Sequence, residues 1–269
     1  MIYTVHGAPL YAYTGGKVFD PAKPTAVFVH GVLNDHSVWI LQTRHFANHG
    51  WNVLAIDLPG HGRSGGKAPA SVQEAANSMI ALLDAAGIAK AVLIGHSFGS
   101  LIALHAAAEY PSRVSQLLMV GTAYPMRVSP ALLENSLNDP QKAIQMVNVF
   151  SHSTLAPPPS ALGPGTWLLG ASKALMKRTL ASNVKENIFN IGFKACDSYD
   201  QGEIAMQKVN CPTLFLLGKK DQMTPPKAAQ GLIQIAQNGQ VALVNAGHQL
   251  MVEAPEETLS AMIAFCKKQ

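Results

Sequence analysis

The sequence predicts an α/β protein with a mostly parallel sheet of about eight strands flanked by helices. Short apolar runs alternate with longer segments of helical character, a pattern typical of strand–helix–strand units whose sheet is covered on both faces. One junction is especially tight, because the run 91–94 leads through Gly95-His96-Ser97-Phe98-Gly99 into an alanine-rich helix that stops before Pro111. The 269 residues are enough for one such domain with an insertion.

The elements follow one another in a regular order. Two short extended segments, 3–5 and 10–13, are joined at Gly7-Ala8-Pro9 and predict an antiparallel hairpin. Later apolar runs predict further strands, and the segments between them have the length of helices. The further predicted strands are 26–29, 53–56, 91–94, 116–120, 213–218 and 240–244, and the predicted helices beside them are 37–49, 71–86, 100–109 and 255–266.

Three chemically useful side chains follow predicted strands. Ser97 lies in a G-x-S-x-G turn between a strand and a helix, which exposes its hydroxyl, and glycines 95 and 99 are expected because a Cβ there would strike neighbouring backbone. Asp221 follows the strand 213–218, and His248 follows the strand 240–244. A serine hydroxyl needs a base, and the base needs an orienting acid. Because parallel strands end at one sheet edge, we expect the three groups to meet there.

Asp57 is the competing carboxylate, because it too follows a predicted strand. It precedes Ser97 in the chain, whereas the acid in this topology follows the nucleophile. We therefore expect Asp57 to hold the Asp57-Leu58-Pro59-Gly60 turn through backbone N–H groups, and Asp221 to be the orienting acid.

The chain resembles the α/β-hydrolase superfamily over nearly its whole length. The motifs appear in the family's order: His30-Gly31, Asp57-Leu58-Pro59-Gly60-His61-Gly62-Arg63-Ser64, the Gly95–Gly99 turn, the loop from Gly218 to Asp221, and Gly247-His248. The resemblance implies an α/β-hydrolase fold in which Ser97 is the nucleophile, His248 the general base and then acid, and Asp221 the orienting carboxylate. No histidine pair has the i, i+4 spacing with a glutamate between that a zinc protease requires, so no metal is expected, and the chemistry of these three residues needs no cofactor.

The resemblance also implies an oxyanion hole made by the backbone N–H groups of Val32 and Phe98. Four residues are expected to be structural near the site: His30, Gly31, Gly95 and Gly99. His96 is expected to point away from the reacting centre. The sequence His30-Gly31-Val32-Leu33 departs from the His-Gly-Gly-Gly form of some lipases, which argues against bulky tertiary esters.

Between residues 122 and 208 the strand signal disappears, and helices are predicted at 131–137, 141–150, 166–182 and 202–207. A proline- and glycine-rich loop covers 156–165. In the family this position, after the sixth strand, holds a helical cap. We therefore predict a core domain of residues 1–121 and 209–269 and a helical cap, or lid, of residues 122–208 inserted in it.

The expected function is that of a serine hydrolase that cleaves a carboxylic ester of a small to medium, largely apolar substrate through an acyl-enzyme. A lactonase, or a carbon–carbon bond hydrolase of aromatic breakdown, is the alternative, and the latter would use a charged cap residue such as Lys173, Lys177 or Arg178 to grip a carboxylate. A non-catalytic ligand-binding protein on the same scaffold is a further alternative. The substrate pocket is expected to include apolar side chains, namely Leu33, Tyr124, Met126, Trp167, Leu168 and Met223, beside Val32 and Phe98.

Composition sets the remaining expectations. The net charge of +4 is modest and the basic residues are scattered, so we expect a small-molecule substrate and no nucleic acid partner. No apolar run approaches the roughly 20 residues that span a bilayer, so no membrane partner is expected. Three distant cysteines and the lack of a visible secretory signal predict a cytoplasmic location. The oligomeric state stays open.

Overall fold

The computed structural model describes residues 1–153 and 167–267. Its strands are β1 Ile2–Val5, β2 Ala8–Tyr13, β3 Thr25–Val29, β4 Asn52–Ile56, β5 Ala91–His96, β6 Val114–Val120, β7 Thr213–Gly218 and β8 Gly239–Val244. They form one sheet in the order β1-β2-β4-β3-β5-β6-β7-β8. β2 pairs antiparallel with β1 and with β4, and the other neighbours are parallel. The predicted α/β fold with a mostly parallel sheet is confirmed.

The helices cover both faces of this sheet. They are α1 Ile40–Asn48, α2 Val72–Ala85, α3 Phe98–Glu109, α4 Pro130–Asn138, α5 Pro140–Ser151, α6 Leu168–Ala181, α7 Ile188–Ser198, α8 Gly202–Lys208, α9 Gln230–Ile235, α10 Leu250–Glu253 and α11 Pro255–Cys266. Side chains alternate along β3, so that Val27 and Val29 join the core under α2, α3, α8 and α9. Ala26 and Phe28 join the opposite core under α1, α10 and α11. Within the described residues, no helix combines the length and apolarity needed to cross a membrane.

Several helices begin where a side chain accepts a hydrogen bond from the first turn. Ser71 caps α2 by accepting from the Glu74 N–H, and Ser129 and Asp139 cap α4 and α5 in the same way. Both α4 and α5 begin with a proline, whose missing N–H costs nothing at a helix start. These caps fix where α4 and α5, the first two helices after β6, begin.

The helix α7 is absent from the sequence-based prediction, and that prediction was incomplete there. Its residues include Gly192 and β-branched and aromatic side chains, which have weak intrinsic helix propensity. The helix is stabilised by packing, because Phe189 and Phe193 are buried in a core shared with α4, α5 and α6. A Cβ on Gly192 would lie 3.2 Å from Val32, so the glycine allows α7 to approach the loop after β3.

The predicted helix 37–49 also differs in detail, since its first turn, His36–Trp39, is a 3₁₀ helix that continues into α1. The predicted loop 156–165 lies outside the described residues.

The helices between β6 and β7 share a buried apolar core with loops that follow the strands. Leu33 and Ala68 from those loops pack with Ile144 and Met176 of these helices. The C-terminal end of α6 is also bonded to the loop after β3, because Arg178 Nη2 lies 2.7 Å from Asp35 Oδ2. The division into a core domain and a cap at residues 122–208 stays a prediction.

A core substitution tests the packing of β3. Phe28 is fully buried, and its ring contacts those of Trp39 and Phe46, with centroids 5.4 and 5.5 Å away. Phe28→Ala should lower the free energy of unfolding in urea by about 3–5 kcal/mol, because it leaves a cavity. Val18→Ala, at a side chain that is 90% exposed, is the matched control and should change it by less than about 0.5 kcal/mol. A loss below about 1 kcal/mol for Phe28→Ala would contradict this packing.

Candidate active site

Ser97 lies in a strained turn between β5 and α3. Its φ of 53° and ψ of −119° are unfavourable for a residue with a side chain. The turn is held by a 2.9 Å hydrogen bond from the Ser97 N–H to the Val120 carbonyl. A Cβ on Gly95 would overlap the Gly99 carbonyl, and a Cβ on Gly99 would overlap the Val29 carbonyl. Both glycines are therefore required by the close approach of backbone segments.

His248 and Asp221 form a buried pair on the loops that follow β8 and β7. His248 Nδ1 lies 2.9 Å from Asp221 Oδ2. Asp221 Oδ1 accepts hydrogen bonds from the N–H groups of Met223 and Thr224, each 2.8 Å long. With Nδ1 engaged by the carboxylate, His248 keeps Nε2 available for proton transfer.

Thr224 is a site residue that the sequence analysis missed. Its Oγ1 lies 2.7 Å from Asp221 Oδ2, 2.9 Å from His248 Nδ1 and 2.9 Å from the Gly121 carbonyl. The hydroxyl thus connects the Asp221–His248 pair to the end of β6. Its signal in the sequence is weak, being only a threonine three residues after an aspartate in a turn.

The surroundings of Asp221 keep it ionised. Burial alone would raise the pKa of this carboxyl group, but the neighbouring His248 and the hydrogen bonds from Thr224 lower the pKa to about 2. A negative charge is therefore present beside His248 at neutral pH, where it can stabilise a protonated imidazole.

The position of His248 also depends on its backbone. Its N–H donates a 2.8 Å hydrogen bond to the Ser151 carbonyl at the end of α5, and its carbonyl accepts one of 2.9 Å from His96 Nε2. The rings of His96 and His248 lie 4.6 Å apart. The expectation that His96 points away from the reacting centre was wrong, because its ring packs on His248. Burial, together with the nearby His248, lowers the pKa of His96 to about 3, so its ring is neutral.

The expected oxyanion donors lie on two segments, Val32 on the loop after β3 and Phe98 at the start of α3. Among the described residues, neither the Val32 nor the Phe98 N–H donates to a protein acceptor. His30 braces the loop after β3, because its Nδ1 lies 2.8 Å from the Gly31 carbonyl and its Nε2 accepts from the Leu58 N–H at 3.1 Å. Burial lowers the pKa of His30 and so favours the neutral ring that these two contacts require.

A cavity of about 300 Å³ opens beside Ser97 and His248. Of the expected pocket residues, Met126 and Met223 line it, as does Val32. The other lining residues are Arg127, Val128, Ser129, Leu132, Met146, Phe150, Phe193, Cys196, Gln222 and Thr224. The walls are thus mainly apolar, with a few polar groups.

Four expected pocket residues lie elsewhere. Leu33 adopts a φ of 56° and is fully buried in the core of the β6–β7 helices. Tyr124 packs on Tyr199, with centroids 6.1 Å apart. Trp167 is 65% exposed and Leu168 begins α6, so neither lines the cavity. These expectations were wrong because the docking of the helices, which decides the walls, leaves no short-range signal in sequence.

Asp57, the competing carboxylate, is engaged away from His248. Its Oδ1 accepts from the His36 N–H and lies 2.7 Å from His36 Nδ1, and its Oδ2 accepts from the Arg63 N–H at 2.9 Å. Asp35 lies close to His36 and Asp57, and one side-chain oxygen or nitrogen atom of each of these three residues lies within 4.8 Å of the others. Asp35 in turn bonds Arg178 and Ser37, so the cluster is accounted for as a hydrogen-bond network.

Sequence comparison agrees with this architecture. The family model described as alpha/beta hydrolase fold matches residues 24–255, and the chain belongs to this family. It is 28% identical over 279 aligned residues to the dihydrolipoyllysine-residue acetyltransferase component of the acetoin cleaving system of Pseudomonas putida, which covers 97% of this chain and 70% of that protein. Mammalian relatives of 28% identity are longer, and the chain spans 54 or 55% of their length.

Structure comparison finds the same fold in solved enzymes. The esterase EaEST from Exiguobacterium antarcticum aligns with a TM-score of 0.83 and 18% identity over 99% of both chains. The enol-lactonase from Burkholderia xenovorans LB400 aligns with a TM-score of 0.86 and 18% identity over the whole of both chains. At this identity the likeness supports the fold.

The pKa of Asp221 predicts a pH effect on stability. Its value of about 2 lies below the ordinary 3.8, so the ionised group stabilises the folded state above about pH 4, and this contribution is lost as the pH falls towards 2. Between pH 5 and pH 2, the free energy of unfolding of the wild type should therefore fall by about 2 kcal/mol more than that of Asp221→Asn. Urea denaturation at each pH measures both. Asp200→Asn, at an exposed position, should follow the wild type, and equal slopes for wild type and Asp221→Asn would refute the prediction.

Proposed function

We propose that the chain is a serine hydrolase that cleaves a carboxylic ester of a small to medium, largely apolar substrate. The observation that carries this proposal is the buried Asp221–His248 pair, 2.9 Å apart, at the cavity that Ser97 also lines. A nucleophile, a base and an orienting acid at one cavity are the parts that acyl transfer needs. Membership of the alpha/beta hydrolase family supports the same class of reaction.

The proposed reaction has two halves. Ser97 Oγ attacks the acyl carbon while His248 Nε2 takes its proton, and Asp221 stabilises the resulting imidazolium. The N–H groups of Val32 and Phe98 hold the oxyanion, and His248 then gives its proton to the leaving alcohol. Water attacks the acyl-enzyme by the same steps and releases the acid.

The cavity supports an apolar ester over a substrate with a gripped carboxylate. Its volume of about 300 Å³ is at the lower end of the range for small-molecule sites. Lys173, Lys177 and Arg178 are absent from its described lining residues. Arg127 does line the cavity, but its Nη1 donates a 2.7 Å hydrogen bond to the Asp197 carbonyl. Arg178 instead pairs with Asp35. This pairing argues against carbon–carbon bond hydrolysis, because that reaction would use such a residue to bind the substrate carboxylate. A lactone is a cyclic ester and is open to the same chemistry.

The cytoplasmic location stays a prediction, and the three free cysteines support it. A small-molecule substrate, with no nucleic acid or membrane partner, likewise belongs to the proposal.

Hydrolysis of p-nitrophenyl esters of increasing acyl length tests the proposal. Turnover should peak at short or medium chains, because the cavity is small. Ser97→Ala should lower turnover roughly 10⁴–10⁶-fold, since the nucleophile is lost. Ser198→Ala, an exposed serine on α7, is the control and should retain wild-type turnover.

Two other outcomes separate the alternatives. If no ester reacts but a fluorophosphonate labels Ser97, the nucleophile is active on another bond, and lactones and vinylogous 1,5-diketones are assayed next. If no ester is hydrolysed and the fluorophosphonate does not label Ser97, the proposed hydrolase activity is refuted and a ligand-binding protein is favoured.

The role of the acid is tested by Asp221→Asn. This change should lower kcat by about 10³–10⁴-fold, because the base loses its orientation and charge partner. Asp57→Asn makes the same change at the other carboxylate that follows a strand. It should lower stability, while kcat per folded molecule, with folding checked by circular dichroism, stays within about tenfold. The reverse pattern would make Asp57 the acid.

A further inference from the structure

A second, smaller cavity adjoins Ser97 and His248. Its volume is about 30 Å³, which is room for one or two water molecules. We call it the small compartment, and its walls include Gly31, His96, Val147, Ser151 and Met176. None of these five residues lines the larger cavity, and the two spaces adjoin where they share Val32, Ser97, Phe193, Met223 and His248.

Two buried polar atoms of the small compartment have no partner. His96 is 1% exposed and Ser151 is fully buried, and within the described chain neither His96 Nδ1 nor Ser151 Oγ has a hydrogen-bond partner. A Cβ on Gly31 would lie 3.1 Å from His96 Nδ1 and 3.2 Å from Ser97 Cβ, so Nδ1 faces the space beside Ser97 that this glycine leaves open. Buried polar groups are normally hydrogen-bonded, and leaving them unpaired is costly. A small polar group is therefore expected in this space.

The hydrogen-bond chemistry of the compartment restricts what that group can be. His96 Nε2 contacts the His248 carbonyl and must carry the ring proton. His96 Nδ1 is therefore an acceptor, and the low pKa of the ring keeps it one. The bound group must donate a hydrogen to it. Ser151 Oγ can donate or accept.

We propose that the small compartment holds the water that attacks the acyl-enzyme and selects it against alcohols as the acyl acceptor; this rests on the proposed serine hydrolase function. One hydrogen of the water is donated to His96 Nδ1, the other goes to His248 Nε2, and the water oxygen accepts a hydrogen bond from Ser151 Oγ. In the transfer, the water oxygen bonds to the acyl carbon, the bond to Ser97 Oγ breaks, and the proton taken by His248 passes to Ser97 Oγ. An alcohol has a single O–H, so it cannot donate a hydrogen to both histidines at once.

Burst kinetics with p-nitrophenyl acetate test this assignment, because the burst reports acylation and the steady rate reports deacylation. Ser151→Ala should leave the burst rate unchanged and slow the steady rate about 3- to 10-fold, the effect of one lost neutral hydrogen bond. Folding should tolerate this change, since Ser151 Oγ has no partner among the described residues. Ser78→Ala, a buried serine on α2, is the matched control and should leave both rates at the wild-type values.

Added methanol distinguishes the two possible acceptors. Per mole of acceptor, methanol or water, the wild type should form less methyl ester than acid. His96→Phe removes the acceptor atom and should shift this partition towards methyl ester. The inference would be overturned if the wild type formed more methyl ester than acid per mole of acceptor and Ser151→Ala kept the wild-type steady rate. A burst observed in the same experiment would still support the proposed serine hydrolase. Absence of both a burst and Ser97 labelling would overturn the two proposals together.

Discussion

The structure depends on direct backbone contact at the C-terminal ends of its central strands. At Gly95 and Gly99, the turn that carries Ser97 packs against itself and against the end of β3 with no side chain between. The same close approach recurs between Gly218, at the end of β7, and Gly247, on the loop that leads to His248, because a Cβ on Gly218 would overlap the Gly247 carbonyl. Each group of the candidate site is thus held at the sheet edge by main chain, which is stiffer than a long side chain.

His248 is the point at which these constraints meet. Its side chain bonds Asp221, its carbonyl accepts from His96, and its N–H donates to the end of α5. Thr224 adds a contact that reaches the end of β6. Strands, a loop and a helix from distant parts of the sequence therefore fix one imidazole, and the base of the proposed reaction is oriented before any substrate binds.

The sheet and the meeting of Asp221 and His248 could be predicted because they depend on short motifs and on strand order. Ser97 can be recognised because the tight turn around it requires glycines at fixed positions next to it in the sequence. Asp221 and His248 both follow strands that end at the same sheet edge. The helix α7 could not be predicted, since Gly192 and its aromatic neighbours have weak helix propensity and are ordered by packing. The prediction of the cavity walls failed for a related reason. The positions of Leu33 and Trp167 depend on how the helices dock, and the contacts that decide this docking join residues remote in sequence.

The end of α5 and the loop of His248 form one hydrogen-bonded unit. The Ser151 carbonyl accepts from His248 and Gln249, while Glu253 accepts from the N–H groups of Ser153 and Gly247. Residues 151–153 are therefore mechanically part of the sheet edge, although they follow helices of the segment between β6 and β7. An outward swing of α4 and α5 that preserves the imidazole's alignment must therefore pivot before Ser151, so the hinge axis for these two helices falls within α5 or earlier and not at the point where α5 ends.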